Sequence, residues 1–147
     1  GAIVEHKREQ TFQFFTKLFD IDEAERLITE NPAKYKKPDG QFYSFQLDVL
    51  NKWMSVTTPE EKAQQDADLK AGKSISLKMG VRVGYEYAVN IPDSNLEEPG
   101  IWLAGGEGFS MLIDGWHRAY GRIHKGYTDM EIWVISDPKD IEKITIR

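Results

Sequence analysis

"MLIDGWHRAYGRIHKG", residues 111–126, decides how the rest of the chain is read. An apolar run, Met111 to Ile113, gives way at Asp114-Gly115 to a segment with Trp116, Ala119 and Ile123 at helical spacing. Gly126 stops that segment. The change of period predicts a strand over 109–113, a helix over 116–125 and Asp114-Gly115 as the junction between them. Asp114 suits a cap for the first backbone N–H groups, and Gly115 lets the backbone turn tightly. Free N–H groups at a helix start, the positive end of the helix dipole, and the side chains of His117 and Arg118 together suit an anion. Arg118 adds a planar fork that matches phosphate or carboxylate. The same residues admit a purely architectural reading, with Asp114 as a cap, Gly115 as a turn, His117 on the surface and Arg118 on a structural carboxylate.

Further along the same helix, Arg118, Arg122 and Lys125 share a basic face. His117 and His124 lie two turns apart, roughly 10 Å at the helical rise. Zinc bonds are ~2.0–2.1 Å, so the two do not share one ion.

Outward from the motif, "MEIWVIS" (130–136) reads as a strand, and "IWLAGG" (101–106) as another. "SISLKMGVRV" (74–83) alternates strictly, which predicts a strand of the same sheet with Ile75, Leu77, Met79, Val81 and Val83 facing the core. "YEYAVNI" (85–91) reads as a further strand and "PDSNLEEPG" (92–100) as a loop. Asp137-Pro138 opens the last element. In the first half, "EHKREQTFQFFTKLF" (5–19) reads as a helix with Phe12, Phe15 and Phe19 on one stripe. Residues 20–31 read as a second helix, with Asp22 and Glu25 as its capping box. Residues 34–41 read as a loop, and 42–56 as either strand or helix. Thr58-Pro59-Glu60-Glu61 opens a surface helix that Gly72 ends. The sum is an α+β domain over 1–147: a mostly helical part, 1–72, then a small mixed sheet with its motif helix, 73–147.

Composition narrows the chemistry. The chain has 147 residues and no cysteine, which removes disulfides, thiolate metal ligands and thiol catalysis. No apolar run approaches the ~20 residues of a membrane span, and no signal-peptide pattern is visible. These features fit a cytoplasmic protein. The chain opens GAIVEHK without Met, so a preceding targeting segment stays an open alternative. A net charge of −5 argues against phosphate-backbone gripping as the main task. Nucleic-acid contact would need a local patch such as Lys34–Lys37, Lys70–Arg82 or Arg118–Lys125.

The motif resembles the ParB/sulfiredoxin superfamily, the ParB-like nuclease domains. Their signature is a strand, Gly-x-x-Arg at a helix start, a small residue, the helix, Gly and a strand. Here those positions are Gly115, Trp116, His117, Arg118, Ala119, Gly126 and 130–136. The resemblance covers about 95–137 and reaches back towards 74. It implies that the helix start binds nucleotide phosphate through Gly115, Trp116, His117 and Arg118. Trp116 stands where sulfiredoxins carry their catalytic Cys, so sulfinic-acid repair is excluded. Trp116 and His117 also replace the Glu and Arg of CTP-binding ParB proteins. No helix-turn-helix reader follows in the 21 residues after Gly126. Asp114, His117 and Arg118 match the Asp-Gly-His-His-Arg of free-serine kinases of this fold.

The reading therefore expects a nucleotide (ATP, ADP or CTP) or a phosphorylated small molecule, with Mg²⁺ at Asp114. Asp114, His117 and Glu98, with Glu97 beside it, are the candidate catalytic residues. The reaction would be phosphoryl transfer or hydrolysis, as in a phosphohydrolase, phosphotransferase or nuclease. The alternative is a non-catalytic regulatory module. Phe12, Phe14, Phe15 and Phe19 would serve either a homodimer arm or, the preferred reading, packing on the chain's own sheet. No membrane contact is expected.

Overall fold

The computed structural model describes residues 10–14, 17–74, 80–105 and 109–147. The chain forms two compact units from interleaved segments. Unit 1 takes Gly1–Phe45, Pro99–Gly115 and Glu131–Arg147, and unit 2 takes Gln46–Glu98 and Trp116–Met130.

Unit 1 begins with an antiparallel pair, β1 (Thr11–Phe14) and β2 (Lys17–Asp20). The expected helix over 5–19 is therefore not formed at 11–14 and 17–19, and residues 5–9 lie outside the described ones. Aromatic and β-branched residues favour a pleated surface, and the pairing sets Phe12 directly opposite Phe19. Phe19 is buried in the core and Phe12 packs against it, so these two serve their own unit. Phe15 falls outside the described residues.

Helix α1 (Ile21–Glu30) follows. Its cap is Asp20, whose carboxylate accepts from the Glu23 N–H at 3.0 Å, and not the expected Asp22. Asp20 keeps extended backbone and can reach over the first turn, whereas Asp22 already sits inside it. A short 3-10 turn, Pro32–Tyr35, occupies the start of the expected 34–41 loop.

Most of a four-stranded sheet belongs to unit 1, in the order β3 (Tyr43–Gln46), β8 (Asp129–Ile135), β6 (Gly100–Ala104), β7 (Ser110–Asp114). β6 runs parallel to β8 and antiparallel to β7, so the sheet is mixed, as expected. The parallel register sets Leu103 beside Ile135. Both face a core shared with Ile113, with Ile21, Leu27 and Ile28 of α1, and with Ile144 of α7 (Pro138–Ile144). Each such side chain contributes about 1.5–3 kcal/mol by leaving water. Asp137 caps α7 by accepting from the Lys139 N–H at 3.0 Å, as the Asp-Pro pair leads one to expect.

Unit 2 resolves the ambiguous 42–56 stretch beyond β3 into α2 (Leu47–Asn51) and β4 (Met54–Thr57). Helix α3 (Pro59–Lys70) starts on the Thr58 cap, as expected. β5 (Val81–Gly84) pairs in parallel with β4 in a sheet of two strands. The described end of the alternating segment, Val81–Val83, is thus not in the main sheet. Val83 is buried and Arg82 exposed, which agrees with the expected faces, while 75–79 lie outside the described residues. The expected strand over 85–91 is instead helix α4 (Tyr85–Val89), followed by α5 (Asp93–Leu96) inside the expected loop.

Helix α6 (Trp116–His124) explains the first of those changes. A Cβ on its Gly121 would stand 2.7 Å from the Ala88 carbonyl oxygen and 2.8 Å from a Leu96 methyl. Glycine lets α4 and α5 come this close, and Ala88, Leu96 and Ala119 are all buried there. Packing against α6 overrides the alternating pattern of Tyr85, Tyr87 and Val89.

Candidate functional site

The strand, junction and helix of the motif stand where the change of period puts them. β7 ends at Asp114, Gly115 has φ +104°, and α6 begins at Trp116. A positive φ of this size strains any side-chain-bearing residue, so Gly115 is required by the turn. Gly126, φ +92°, follows the helix in the same way.

In unit 2 the first turn of α6 divides its side chains. Trp116 is buried and builds the packing of its unit. His117 is half-buried. Its Nε2 accepts the Gly84 N–H at 3.2 Å, and its ring meets Tyr87 edge-on with centroids 4.8 Å apart. Burial pushes its pKa below the ordinary histidine value. A neutral imidazole accepting at Nε2 carries its proton on Nδ1, so Nδ1–H is the donor left to a ligand. Gly84 and Tyr87 were not foreseen as neighbours, because 85–91 read as a strand and the Gly84 contact spans 33 positions.

Arg118 and Glu98 come together. The guanidinium Nη1 donates to Glu98 Oε2 at 3.0 Å. The Arg118 side chain is 16% exposed and that of Glu98 59%. A cation in a partly covered setting is therefore held by a carboxylate that reaches in from water. Such exposed carboxylates bind weakly, by about 0–1 kcal/mol. Sequence reasoning nominated both residues, but for different tasks.

The expected basic face is largely committed to local bonds. Arg122 donates from Nε to the Asp129 carbonyl at 2.9 Å and from Nη1 to the Leu96 carbonyl at 3.1 Å. Its guanidinium also lies 4.3 Å from the centre of the Tyr127 ring. Lys125 pairs with Asp93. Arg122 therefore fastens the segments on either side of α6 and is not a free arm for phosphate. His124 meets the Tyr85 ring edge-on, 5.7 Å between centroids, apart from His117's contacts. Among the described residues no group of three or more His, Asp or Glu is gathered as a metal site. Among them too, no helix is long and apolar enough to cross a membrane.

Unit 1 contains a second ionic cluster, which the sequence reading missed. Asp140 is buried, and its Oδ2 accepts from the Tyr35 hydroxyl and from Lys34 Nζ, each at 2.8 Å. Lys34 also donates to Asp137 at 2.9 Å. Burial first, and then the bond to Asp140, push the Tyr35 hydroxyl up to about 12. Hydrogen bonds that Lys34 donates to Asp140 and Asp137 hold its ammonium above its usual value. The Lys34–Lys37 patch is thus engaged within its own unit, with Lys36 Nζ also 4.5 Å from the centre of the Phe42 ring.

No protein-family model matches the sequence, and neither a curated protein nor a solved structure matches it significantly.

Proposed function

We propose that the chain is a nucleotide- or phosphate-binding domain of the ParB/sulfiredoxin-like type, with the first turn of α6 as its anion receptor. The observation that carries this reading is the Arg118–Glu98 pair. An arginine 16% exposed sits at the start of a helix, and its carboxylate partner is 59% exposed at 3.0 Å. Glu98 occupies an anion position on Arg118. A phosphate, with more charge and a geometry matched to the guanidinium fork, takes that position and sends Glu98 back to water. His117 Nδ1–H supplies a further donor. The substrate class is a nucleotide (ATP, ADP or CTP) or a phosphorylated small molecule.

Binding without turnover is favoured by how the two candidate acid–base groups are engaged. His117 spends Nε2 on the Gly84 N–H, and Glu98 is held by Arg118. Phosphoryl transfer or hydrolysis is the second reading. It is supported by the nearness of Glu98, a displaced carboxylate that would remain within reach of a bound phosphate and its Mg²⁺.

Isothermal titration with inorganic phosphate, ATP, ADP and CTP, with and without Mg²⁺, tests the binding. Phosphate release under the same conditions tests turnover. Saturable heat in the parent chain that is lost in Arg118→Ala supports the reading. Equal affinity in a folded Arg118→Ala chain removes the reason to place the ligand at this helix.

A further inference from the structure

Helix α3 buries none of its twelve residues, all of them described. A helix of this length is marginal on its own in water, and a helix polar all round needs other support. Its local support is clear. Thr58 Oγ1 accepts the Glu61 N–H at 3.2 Å, Gln64 donates to Asp68 at 2.9 Å, and Gly72 ends the helix at φ +75°. Pro59, Glu61, Gln65 and Asp68 are partly covered and the other eight residues exposed, among them Glu60, Ala63, Ala67 and Lys70. By helical geometry these last four share the opposite face.

That outward face complements itself. Positions 60 and 70 lie equally far either side of Gln65, and so do 63 and 67. Turned through a two-fold axis at the height of Gln65, the face sets Glu60 against Lys70 of a second helix. Lys70 meets the second Glu60, and Ala63 meets Ala67. The arrangement is isologous, so one pattern satisfies both sides at once. The alanines carry no bulk that would hold the backbones apart. The acidic start and basic end of α3 also give a parallel pairing like charges at both ends, which selects the antiparallel one.

We infer that α3 is a self-docking surface whose occupant is the α3 of a second copy of this chain. The twelve-residue helix is about 18 Å long. The contact is therefore smaller than the ~1,200 Å² of a standard interface, and the dimer is a weak one that forms at high concentration. Its ion pairs are exposed, so added salt weakens it.

The test is sedimentation velocity on the full chain and on two charge reversals, Glu60→Lys and Lys70→Glu. The parent dimerises as its concentration rises towards about 1 mM. Each variant alone sets like charges at both contacts and loses about tenfold in association. An equimolar mixture of the two variants restores association, because each contact then joins opposite charges. Far-UV circular dichroism checks that α3 keeps its helicity. Fraying of α3 would depress the mixture as much as either variant, so restoration in the mixture comes from pairing. A parent that stays monomeric overturns the inference. So do variants that associate like the parent, and a mixture no better than either variant alone.

Discussion

Two carboxylate–cation contacts, one in each unit, differ in nearly everything but their chemistry. Asp140 in unit 1 is buried and is held by both Tyr35 and Lys34. Glu98 in unit 2 is 59% exposed and is held by Arg118. Removing a partner from a buried pair strands polar groups out of water. Removing Arg118 returns the exposed Glu98 to solvent at little cost. The first contact is a structural tie between the 3-10 turn and α7. The second has one partner open to water, which is what the proposed anion receptor requires.

The largest expected effect is on unit 1. Asp140→Ala leaves the buried Tyr35 hydroxyl unmet, while the partly exposed Lys34 turns to water, and costs up to about 3 kcal/mol of stability. Thermal melting shows this as a fall of several degrees, with Asp140→Asn falling less because an acceptor remains. A melt unchanged in Asp140→Ala would erase the distinction between the two contacts.

Arg118→Ala is expected to act in the opposite sense. Phosphate or nucleotide affinity falls by about 10- to 150-fold, equivalent to ~1.5–3 kcal/mol. Stability falls by less than in Asp140→Ala. Arg118→Lys recovers part of the affinity, since the planar fork is lost. Parallel titrations and melts read both quantities. A large fall in stability with no ligand in the parent would make this contact structural like the other.

Glu98→Gln is expected to be gentler still. Removal of the competing carboxylate raises phosphate affinity by up to about fivefold, the value of an exposed pair of ~1 kcal/mol. The enzymatic reading expects lower phosphate release in the same variant, so one protein sharpens both questions.

The smallest effect concerns pH. Burial depresses the His117 pKa in the folded chain, so folding favours its neutral form. The contribution is fully present above the unfolded value of ~6.5 and is lost as pH falls from there through the folded value. Protonation of Nε2 would also end its acceptance of the Gly84 N–H. Stability of the parent should fall faster than that of His117→Gln as pH drops from 7 towards 5, read by denaturant titration at each pH. Parallel curves would remove His117 from the account.

The difference between the contacts also explains what could be read from sequence. The motif was legible because its signals are local. A run of apolar residues, a glycine forced to positive φ and a helical stripe all fall within 111–126, and α3 was legible from Thr58, Pro59 and Gly72. The segments 11–20 and 85–89 misled because their patterns fit two periods. Phe12 and Phe19 come together in either a helix or a paired strand. Tyr85, Tyr87 and Val89 alternate like a strand, yet the close approach of Ala88 to Gly121 makes a helix. Arg118 and Glu98 were each visible as candidates, 20 positions apart, without their contact being visible. Tyr35 and Asp140 are 105 positions apart and leave no mark in either neighbourhood.

The interleaving of segments has a consequence for the order of synthesis. The core of unit 1 joins Phe19 and Leu27 to Ile101, Ile135 and Ile144. A nascent chain that has emerged only as far as Asp129 can assemble most of unit 2 but lacks β8 and α7, hence a wall of the unit 1 core. Phe19 and Leu27 therefore stay unburied by their final partners until Ile135 and Ile144 have been made. Unit 1, although it contains β1 and β2, is completed after unit 2.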